Sequence, residues 1–499
     1  MAQTTCPVNH DFDPVAPGYL ADPYSVLESL RAEQPVFYSP DLAMYVVTRY
    51  EDIERILMDP KTFSSTNAVT PLWPVDEQAR ATLATAFERV PTLTNADGER
   101  HAVMRRHVAR CLSPRRIKAI RPMVEARAAD LLDAMLAKET ADFYRDLAYP
   151  LPALTAFRLL GFPESDTELL KSWVTDRQML TWGHAAPEQQ REIAVNIVAF
   201  SDYIEQFVKR RLDDPQDDVV SELVQVHRDD PAGLTLLDIA NITFLLSAGA
   251  HESTTNLITH GVRRLLENPR EWAQLCADES LVPGAIEEAL RYDASAIAWP
   301  RITAEDTEIG GHHIPAGSPL LLVLGSANRD ERQFSDAIVF DIARDNARQH
   351  LSFGKGIHFC LGAPLARMEM DVVLRLLRSR VPELRLVADQ SFPYHANAVM
   401  RSPQELLVHT GAVGSSHASR DPGPHDAKAT PQRQQLPVEV DPNICIGSGE
   451  CLLRAPHAFA LESSTAVVLP GVADLESSAI DAIIAACPSG AIRKRPDLA

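Results

Sequence analysis

Apolar and polar positions along residues 20–410 repeat mainly with the period of amphipathic helices, with short strand-like runs between them. Asp22 and Pro23 supply an N-cap and a first-turn proline, which predicts a helix through about Glu33. Two apolar runs flank a Ser-Pro-Asp turn and predict a β-hairpin, Val36–Tyr38 with Met44–Val47. Longer amphipathic stretches predict helices over Pro114–Lys138, Glu188–Leu212 and Thr235–Glu267.

This pattern stops at Gly411. Residues 411–435 are rich in Gly, Ser, Pro, His and Gln and hold almost no large apolar residue, which is typical of a flexible linker. Patterned sequence resumes at Leu436. We therefore predict a large domain over residues 1–410, a linker over 411–435 and a small domain over 436–499.

Composition narrows the class of protein. Of the 499 residues, 45% are hydrophobic and 23% charged, as in ordinary globular proteins. The 48 Lys and Arg against 68 Asp and Glu give a net charge of −20, which argues against a nucleic-acid partner. The first residues lack the basic and apolar regions of a signal peptide, and the most apolar run, Ile239–Ala250, is interrupted by polar residues. We expect a cytoplasmic protein without a membrane partner. The sequence predicts no particular oligomeric state.

The seven cysteines are too few and too scattered for a disulfide-stapled fold, and an odd number cannot pair completely. One of them, Cys360, stands in a glycine-rich turn directly before a helical pattern. Glycines there let the backbone bend tightly and turn amides toward the sulfur, which favours a thiolate and tunes any metal that it binds. The segment reads Phe353-Gly354-Lys355-Gly356-Ile357-His358-Phe359-Cys360-Leu361-Gly362.

This segment resembles the haem-binding loop of the cytochrome P450 family, with Cys360 as the proximal thiolate. The resemblance extends over about Asp22 to His409. It implies a mainly α-helical cytochrome P450 fold with small β-sheets, and haem b as the cofactor.

Further motifs follow in that family's order. Glu288 and Arg291 stand at i, i+3 in a helical stretch, the spacing of a pair on one helix face; in the family this pair locks the proximal core. The resemblance also implies contacts between basic side chains and the haem propionates, namely Arg301 in a Trp-Pro-Arg segment, His101 and Arg105 at i, i+4, and His358 in the cysteine loop. Read from the residues alone, His101 and Arg105 could form a solvated helix face.

The long helical stretch Thr235–Glu267 carries acid, small and hydroxyl residues in its middle. A mid-helix glycine beside serine and threonine can loosen the hydrogen-bond ladder and admit water. The stretch resembles the family's oxygen-activation groove, which implies Glu252 as the acid and Ser253 as the alcohol. Serine stands where threonine is usual, and Ala250 where a second glycine is usual; Thr254 is the alternative alcohol.

The small domain holds three cysteines, Cys445, Cys451 and Cys487, the last followed by proline. The spacing resembles a bacterial ferredoxin with a single cluster, a small α+β fold in which Ser448 occupies the usual position of a fourth cysteine. Three thiolates favour a [3Fe–4S] cluster. A [4Fe–4S] cluster with a non-cysteine fourth ligand is one alternative, and a zinc ion with His457 is another.

Together these motifs predict a haem-thiolate monooxygenase that inserts one oxygen atom from O2 into a hydrophobic substrate, with electrons delivered by the fused ferredoxin. The chain shows no dinucleotide-binding motif, so a separate NAD(P)H-dependent ferredoxin reductase is the expected partner. A peroxide-driven peroxygenase and a gas- or redox-sensing haem protein are the alternatives. Candidate pocket residues, by analogy, are Phe244, Leu245, Ala248, Ile297 and Ala298.

A docking surface between the two domains is also predicted from charge. Basic residues near the cysteine loop, Lys355 and the Arg105–Arg106 region, could meet acidic residues of the small domain, which are Glu439, Asp441 and Glu450.

Overall fold

A computed structural model describes residues 6–411, 436–442, 444–462 and 465–495. Of the predicted linker, Gly411 is described and the remainder lies outside the described residues. Below, the chain through Gly411 is called the large unit, and the described chain from Leu436 the small unit.

Helices make up most of the large unit. The N-terminal half contains α1 (Pro17–Ala21), α2 (Pro23–Glu33), α3 (Tyr50–Met58), α4 (Glu77–Leu83), α5 (Gly98–Cys111), α6 (Pro114–Leu136), a π-helical segment (Tyr144–Ala148), α7 (Pro150–Leu160), α8 (Thr167–Trp182), α9 (Pro187–Asp213) and α10 (Val219–Asp229). The C-terminal half contains α11 (Leu236–Glu267), α12 (Pro269–Ala277), α13 (Val282–Tyr292), α14 (Leu324–Ala327) and α15 (Ala363–Arg380).

The 32-residue helix α11 organises this unit. It begins with a capping box, because the Thr235 hydroxyl accepts from the Asp238 amide and the Asp238 carboxylate accepts from the Thr235 amide. It ends before Pro269 and packs against α7, α8, α9, α13 and α15. The helix is buried on nearly all sides, and buried hydroxyl residues such as Thr243 and Ser247 donate to carbonyls one turn earlier.

Small sheets flank the helices. The largest has the order β1 (Val36–Ser39), β2 (Met44–Val47), β8 (Pro319–Leu322), β5 (Trp299–Thr303) and β3 (Phe63–Ser64). A second sheet has the order β4 (Thr140–Asp142), β10 (Leu407–His409) and β9 (Arg385–Leu386), and a hairpin joins β6 (Thr307–Ile309) to β7 (His312–Ile314).

The patterns read from sequence match these elements closely. The Asp22 side chain accepts from the Tyr24 amide and caps α2, which ends at Glu33 as predicted. The predicted hairpin is antiparallel β1–β2, with Val36 opposite Val47. The three long predicted helices are confirmed as α6, α9 and α11, with ends within two residues of the predicted ones.

The small unit is α+β, as predicted. It pairs β11 (Val438–Val440) with β14 (Ile492–Lys494) and β12 (Phe459–Glu462) with β13 (Thr465–Val468), both antiparallel. Two helices, α16 (Glu450–Arg454) and α17 (Ser477–Ala486), pack against each other. The core between them includes Phe459, Val472 and Ile483.

Among the described residues, no helix has the length and apolar character needed to cross a membrane.

Candidate functional site

The cysteine loop leads into α15. Its backbone is held by a hydrogen bond from the Cys360 amide to the carbonyl of Phe353, at 2.8 Å. Gly356 has φ +65°, and a Cβ there would lie 2.7 Å from the carbonyl oxygen of Leu57, so only glycine fits at this position. Burial raises the pKa of the Cys360 thiol, while the amides of Gly362 and Ala363 and the guanidinium of Arg105 act in the opposite direction.

Cys360 lines an interior cavity of about 300 Å³ together with residues of α5, α8, α11 and β5. The predicted propionate contacts Arg105, Arg301 and His358 line the same cavity. His101 lies beside it, with its ring centroid 4.2 Å from that of His358. Burial lowers the pKa of His101 to about 3, so this imidazole is neutral near pH 7.

These side chains fit a haem. Nε2 of His101 is buried and has no hydrogen-bond partner among the described residues. Arg301 is 3% exposed and donates to the carbonyl of Pro300 at 2.8 Å, without an ion pair in the described chain. A haem carries two propionate carboxylates, which would pair with these basic groups. Its iron would bind the buried thiol of Cys360 beside them.

The opposite wall of the cavity comes from the middle of α11. Ser253 and Thr254 both line the cavity, with Gly249 and Ala250 one turn earlier. The Ser253 hydroxyl donates to the carbonyl of Gly249 at 2.8 Å, and the Thr254 hydroxyl to that of Ala250 at 3.4 Å. Helix α11 is continuous through these positions. Ser253 is the more accessible of the two hydroxyl residues.

Glu252 lies behind this wall rather than on it. It is buried, and its carboxylate accepts a hydrogen bond from the Thr175 hydroxyl of α8 at 2.5 Å. Burial raises the pKa of Glu252 to about 7, although the Thr175 hydrogen bond opposes that shift. The carboxyl group therefore exchanges its proton near neutral pH, which is where a proton relay works best.

The pair Glu288–Arg291 is fully buried in α13 and bidentate, with both hydrogen bonds at 2.7 Å. Arg291 also donates to the carbonyls of Asn328 and Ala337 at 2.9 Å. A second arginine, Arg344, forms an ion pair with Glu288 at 3.2 Å. The pair ties α13 to the segment that precedes the cysteine loop.

The predicted pocket residues divide into two groups. Leu245 and Ala248 line the cavity. Ile297, Ala298 and Phe244 are not among the residues that line the cavity, and their side chains pack in apolar clusters beside it, so their part in the pocket stays a prediction. Ile297 and Ala298 join the cluster around the large sheet, and their neighbours Ala296 and Trp299 face the cavity instead.

The three cysteines of the small unit line one small pocket, and Ser448 lines it with them. Burial, together with the nearby thiols of Cys445 and Cys487, raises the pKa of Cys451 to about 12. Three thiolates in one small pocket repel one another. The positive core of an iron–sulfur cluster would offset that repulsion, so the pocket suits such a cluster. Within the described ranges, no three His, Cys, Asp or Glu side chains converge on a single-ion site, and His457 is exposed away from the pocket. The zinc alternative therefore gains no support.

The small unit contacts the large one beside Cys360. One guanidinium joins the two cysteine loops, because Arg105 donates to the carbonyl of Pro488 at 2.7 Å and to that of Phe359. Ile446 is 1% exposed and packs in the apolar cluster that contains Phe359 and Leu361.

Charge contributes at the same contact through the predicted acid Glu450. Lys355 lies 4.0 Å from Glu450 and forms a closer ion pair with Glu54 of its own unit. The other two predicted acids pair inside the small unit, Glu439 with Arg495 at 3.4 Å and Asp441 with Arg493 at 3.9 Å.

Three site residues carry no local motif and were not predicted. Arg344 reaches Glu288 from 56 residues away, and Thr175 reaches Glu252 from 77. Arg177 lines the cavity from α8. A partner that comes from a distant element leaves no spacing signal in the sequence, so only the fold could reveal these three.

Comparison with family models gives two matches. The model described as Cytochrome P450 matches residues 167–380, and the one described as Divergent 4Fe-4S mono-cluster matches residues 432–495.

Relatives and solved structures agree with the first match. Cytochrome P450 monooxygenase PikC from Streptomyces venezuelae is 34% identical over 81% of this chain and 95% of its own. Nocardicin C N-oxygenase from Nocardia uniformis subsp. tsuyamanensis is 36% identical over 79% of this chain and 96% of its own. An intact type IV self-sufficient cytochrome P450 monooxygenase superposes with a TM-score of 0.78 at 35% identity; the match covers 82% of this chain but only 55% of that one. Cytochrome P450 CREJ in complex with (4-ethylphenyl) dihydrogen phosphate also gives a TM-score of 0.78, at 34% identity, covering 80% of this chain and 99% of its own.

Proposed function

The chain belongs to the cytochrome P450 family, as a monooxygenase with an iron–sulfur domain of the divergent 4Fe–4S type at its C-terminus, and from this premise we propose its electron route and reaction. Electrons pass from a separate NAD(P)H-dependent ferredoxin reductase to the cluster of the small unit and then to the haem. One oxygen atom of O2 is inserted into a hydrophobic organic substrate, by hydroxylation or oxidative dealkylation.

The observation that carries this proposal is the bridge at Arg105. A single buried guanidinium binds the carbonyl next to Cys487 and the carbonyl next to Cys360. The predicted cluster ligand Cys487 and the predicted haem ligand Cys360 therefore lie on opposite sides of the Arg105 side chain. Electron carriers need such proximity, and this contact brings their ligands together without a second protein.

The residues of the large unit hold the haem and the substrate in our proposal. Cys360 ligates the iron, and His101, Arg105, Arg301 and His358 hold the propionates. A haem with an electron-rich thiolate ligand activates dioxygen, because the sulfur favours O–O cleavage. Ser253 presents a hydroxyl at the cavity wall, Thr254 a second one, and Glu252 supplies protons from behind them. The apolar side chains of Leu245 and Ala248 exclude water from the substrate.

In the small unit, Cys445, Cys451 and Cys487 ligate the cluster, which we propose to be [3Fe–4S]. Ser448 lines the cluster pocket at the position of a fourth ligand but offers a hydroxyl in place of a thiolate. The matching family model is described as a divergent 4Fe–4S mono-cluster, which favours the alternative of four irons. We propose the domain boundaries 1–410, 411–435 and 436–499 for the fused chain.

The test removes one cluster ligand from the full chain. Cys487→Ala should abolish product formation driven by NAD(P)H and a ferredoxin reductase. Dithionite and carbon monoxide should still give the reduced-CO band of a thiolate-ligated haem, because Cys360 is untouched. Cys276→Ala, at a partly buried cysteine far from either site, should leave both readouts unchanged.

Two outcomes would contradict the proposal. Reductase-driven turnover that survives Cys487→Ala would show that the cluster is not on the electron route. A reduced-CO band that survives Cys360→Ala would remove the haem assignment. Turnover driven by peroxide alone would favour the peroxygenase alternative. A lack of any substrate-dependent consumption of reducing equivalents would favour the sensor alternative.

A further inference from the structure

One cation on the cavity wall has no anionic partner in the part of the chain that the structure describes. Arg177 of α8 lines the cavity, and in the described chain its guanidinium forms neither a hydrogen bond nor an ion pair. Burial alone lowers the pKa of Arg177 to about 10, with no carboxylate opposing the shift. A guanidinium stays charged at neutral pH, and burying one without an acceptor is unfavourable. The position therefore suits an anion that the protein itself does not supply.

A second guanidinium lies against the same aromatic ring. Arg89 is 3.6 Å from the ring centroid of Phe244 and Arg177 is 5.3 Å from it. Arg89 donates to the Ser201 hydroxyl at 2.7 Å, and the charge of Arg177 adds to the effect of burial in lowering its pKa to about 9. The ring attracts both cations through its π-face but provides no negative charge.

Two carboxylates of the same helices, α8 and α11, are engaged with other groups. Asp176 accepts a hydrogen bond from Asn196 at 2.7 Å, and Asp238 forms an ion pair with Arg100 at 2.6 Å. Arg177 thus puts a positive charge on the cavity wall, with Arg89 behind it on the Phe244 ring, while the cavity wall along α11 includes the apolar residues Leu245, Leu246 and Ala248.

Arg177 and Arg89 contact α11 at Phe244, which lies along the helix away from the predicted propionate contacts. Phe244 precedes Ser253 by nine residues, which corresponds to about 13 Å of helix rise. The propionate contacts His101 and His358 stack on each other, and neither is among the groups that affect the pKa of Arg177.

We infer that the substrate is an amphiphile, with an apolar body and one oxyanion, a carboxylate or a phosphate monoester, that is bound by Arg177 with Arg89 beside it. The oxyanion offers the paired acceptors that a guanidinium fork matches. The apolar body extends along α11 toward Ser253. This inference rests on the proposed monooxygenase function and narrows its substrate class.

The test measures ligand binding to the full-chain holoprotein. The change in the haem absorption spectrum reports the binding. The probes are dodecanoate, dodecyl phosphate and 1-dodecanol, which share one chain and differ in the head group. The wild type should bind at least one of the two anions at least tenfold more tightly than the alcohol. Arg177→Gln should weaken binding of that anion about 10- to 100-fold, the range of a charged hydrogen bond, while binding of the alcohol changes less than about threefold.

Control variants separate charge from fold. Arg177→Lys should retain part of the preference for the anion, and Arg89→Gln should weaken it to a smaller extent than Arg177→Gln. Arg270→Gln, at an exposed arginine of α12, should bind all probes as the wild type does. The reduced-CO band confirms that each variant is folded and loaded.

Equal binding of the alcohol and both anions by the wild type, or tight anion binding by Arg177→Gln, would overturn the inference. With a normal reduced-CO band and reductase-driven turnover, that result would leave the proposed function standing. Loss of the band in the wild type would instead overturn the proposed function. The two anionic probes distinguish a carboxylate from a phosphate as the preferred head group.

Discussion

The surroundings of Glu252 determine the pH at which its carboxyl group loses its proton. Burial raises its pKa to about 7, and the Thr175 hydroxyl is its hydrogen-bond donor. A raised pKa means that the group holds its proton below about pH 7 and loses it as the pH increases. A proton donor with this pKa supplies protons less well on the alkaline side.

We therefore predict that product formation by the wild type falls as the pH rises through about 7. Glu252→Gln should lower turnover by roughly 10²-fold, the usual contribution of a positioned acid, and remove that pH-dependent step. Steady-state kinetics between pH 6 and pH 8.5 measure both. Glu28→Gln, at an exposed residue of α2, is the matched control. An unchanged pH profile in Glu252→Gln would exclude this carboxyl from proton delivery.

At the scale of single elements, the loop between β11 and α16 determines the cluster. Gly447 and Gly449 have positive φ angles, +62° and +75°, and bend the loop around the pocket that Ser448 lines. Ser448 thus lines the same pocket as the three cysteines, and in our proposal its side chain decides how many irons the pocket retains.

Ser448→Cys should convert the proposed [3Fe–4S] cluster to [4Fe–4S]. Iron analysis should show one additional iron per chain. The oxidised cluster should lose its paramagnetic resonance signal, because three ferric ions have an odd electron count whereas two ferric and two ferrous ions have an even one. A wild-type protein that already holds four cluster irons would contradict the prediction, and Ser489→Cys, at the pocket edge, is the positional control.

Helices α11 and α13 show which features follow from neighbouring residues and which need the rest of the fold. The capping box of Thr235 and Asp238 and the proline after Glu267 define α11 from its own residues. The i, i+3 spacing of Glu288 and Arg291 is equally local, yet it is common on protein surfaces. Burial at 0% exposure turns it into a fixed ion pair, and that burial comes from the segments packed around α13.

At the scale of the whole molecule, the two units meet where both cysteine loops approach each other. Lys355 lies between Glu54 of the large unit and Glu450 of the small one. Glu450 is 4% exposed and also pairs with Arg454 at 3.4 Å. A charge in such a partly desolvated interface influences docking more than an exposed one does.

Lys355→Glu should therefore slow reduction of the haem through the reductase by about tenfold at low ionic strength, because three carboxylates would then face one another. Added salt should reduce the difference from the wild type. Stopped-flow absorption under carbon monoxide measures the rate in the full chain. The charge swap Lys355→Glu with Glu450→Lys should recover part of it.

Lys118→Glu, at an exposed lysine of α6, controls for the change in net charge. If Lys355→Glu matched the wild-type rate at low ionic strength, this contact would play no part in electron transfer.

The sequence by itself determined the helices of the large unit, the cysteine loop, the local motifs of the family and the loop of the small unit that holds Cys445 and Cys451. Each of these depends on residues within a few positions of one another, where hydrogen-bond and side-chain periodicities act directly. Only the tertiary structure decided which side chains meet across the fold. Arg105 between two carbonyls 129 residues apart, Thr175 beside Glu252, and Arg177 with Arg89 against Phe244 all depend on packing between distant elements. Packing of that kind leaves no spacing in the chain, and it also places Ile297 and Ala298 in an apolar cluster, with their neighbours Ala296 and Trp299 on the cavity wall.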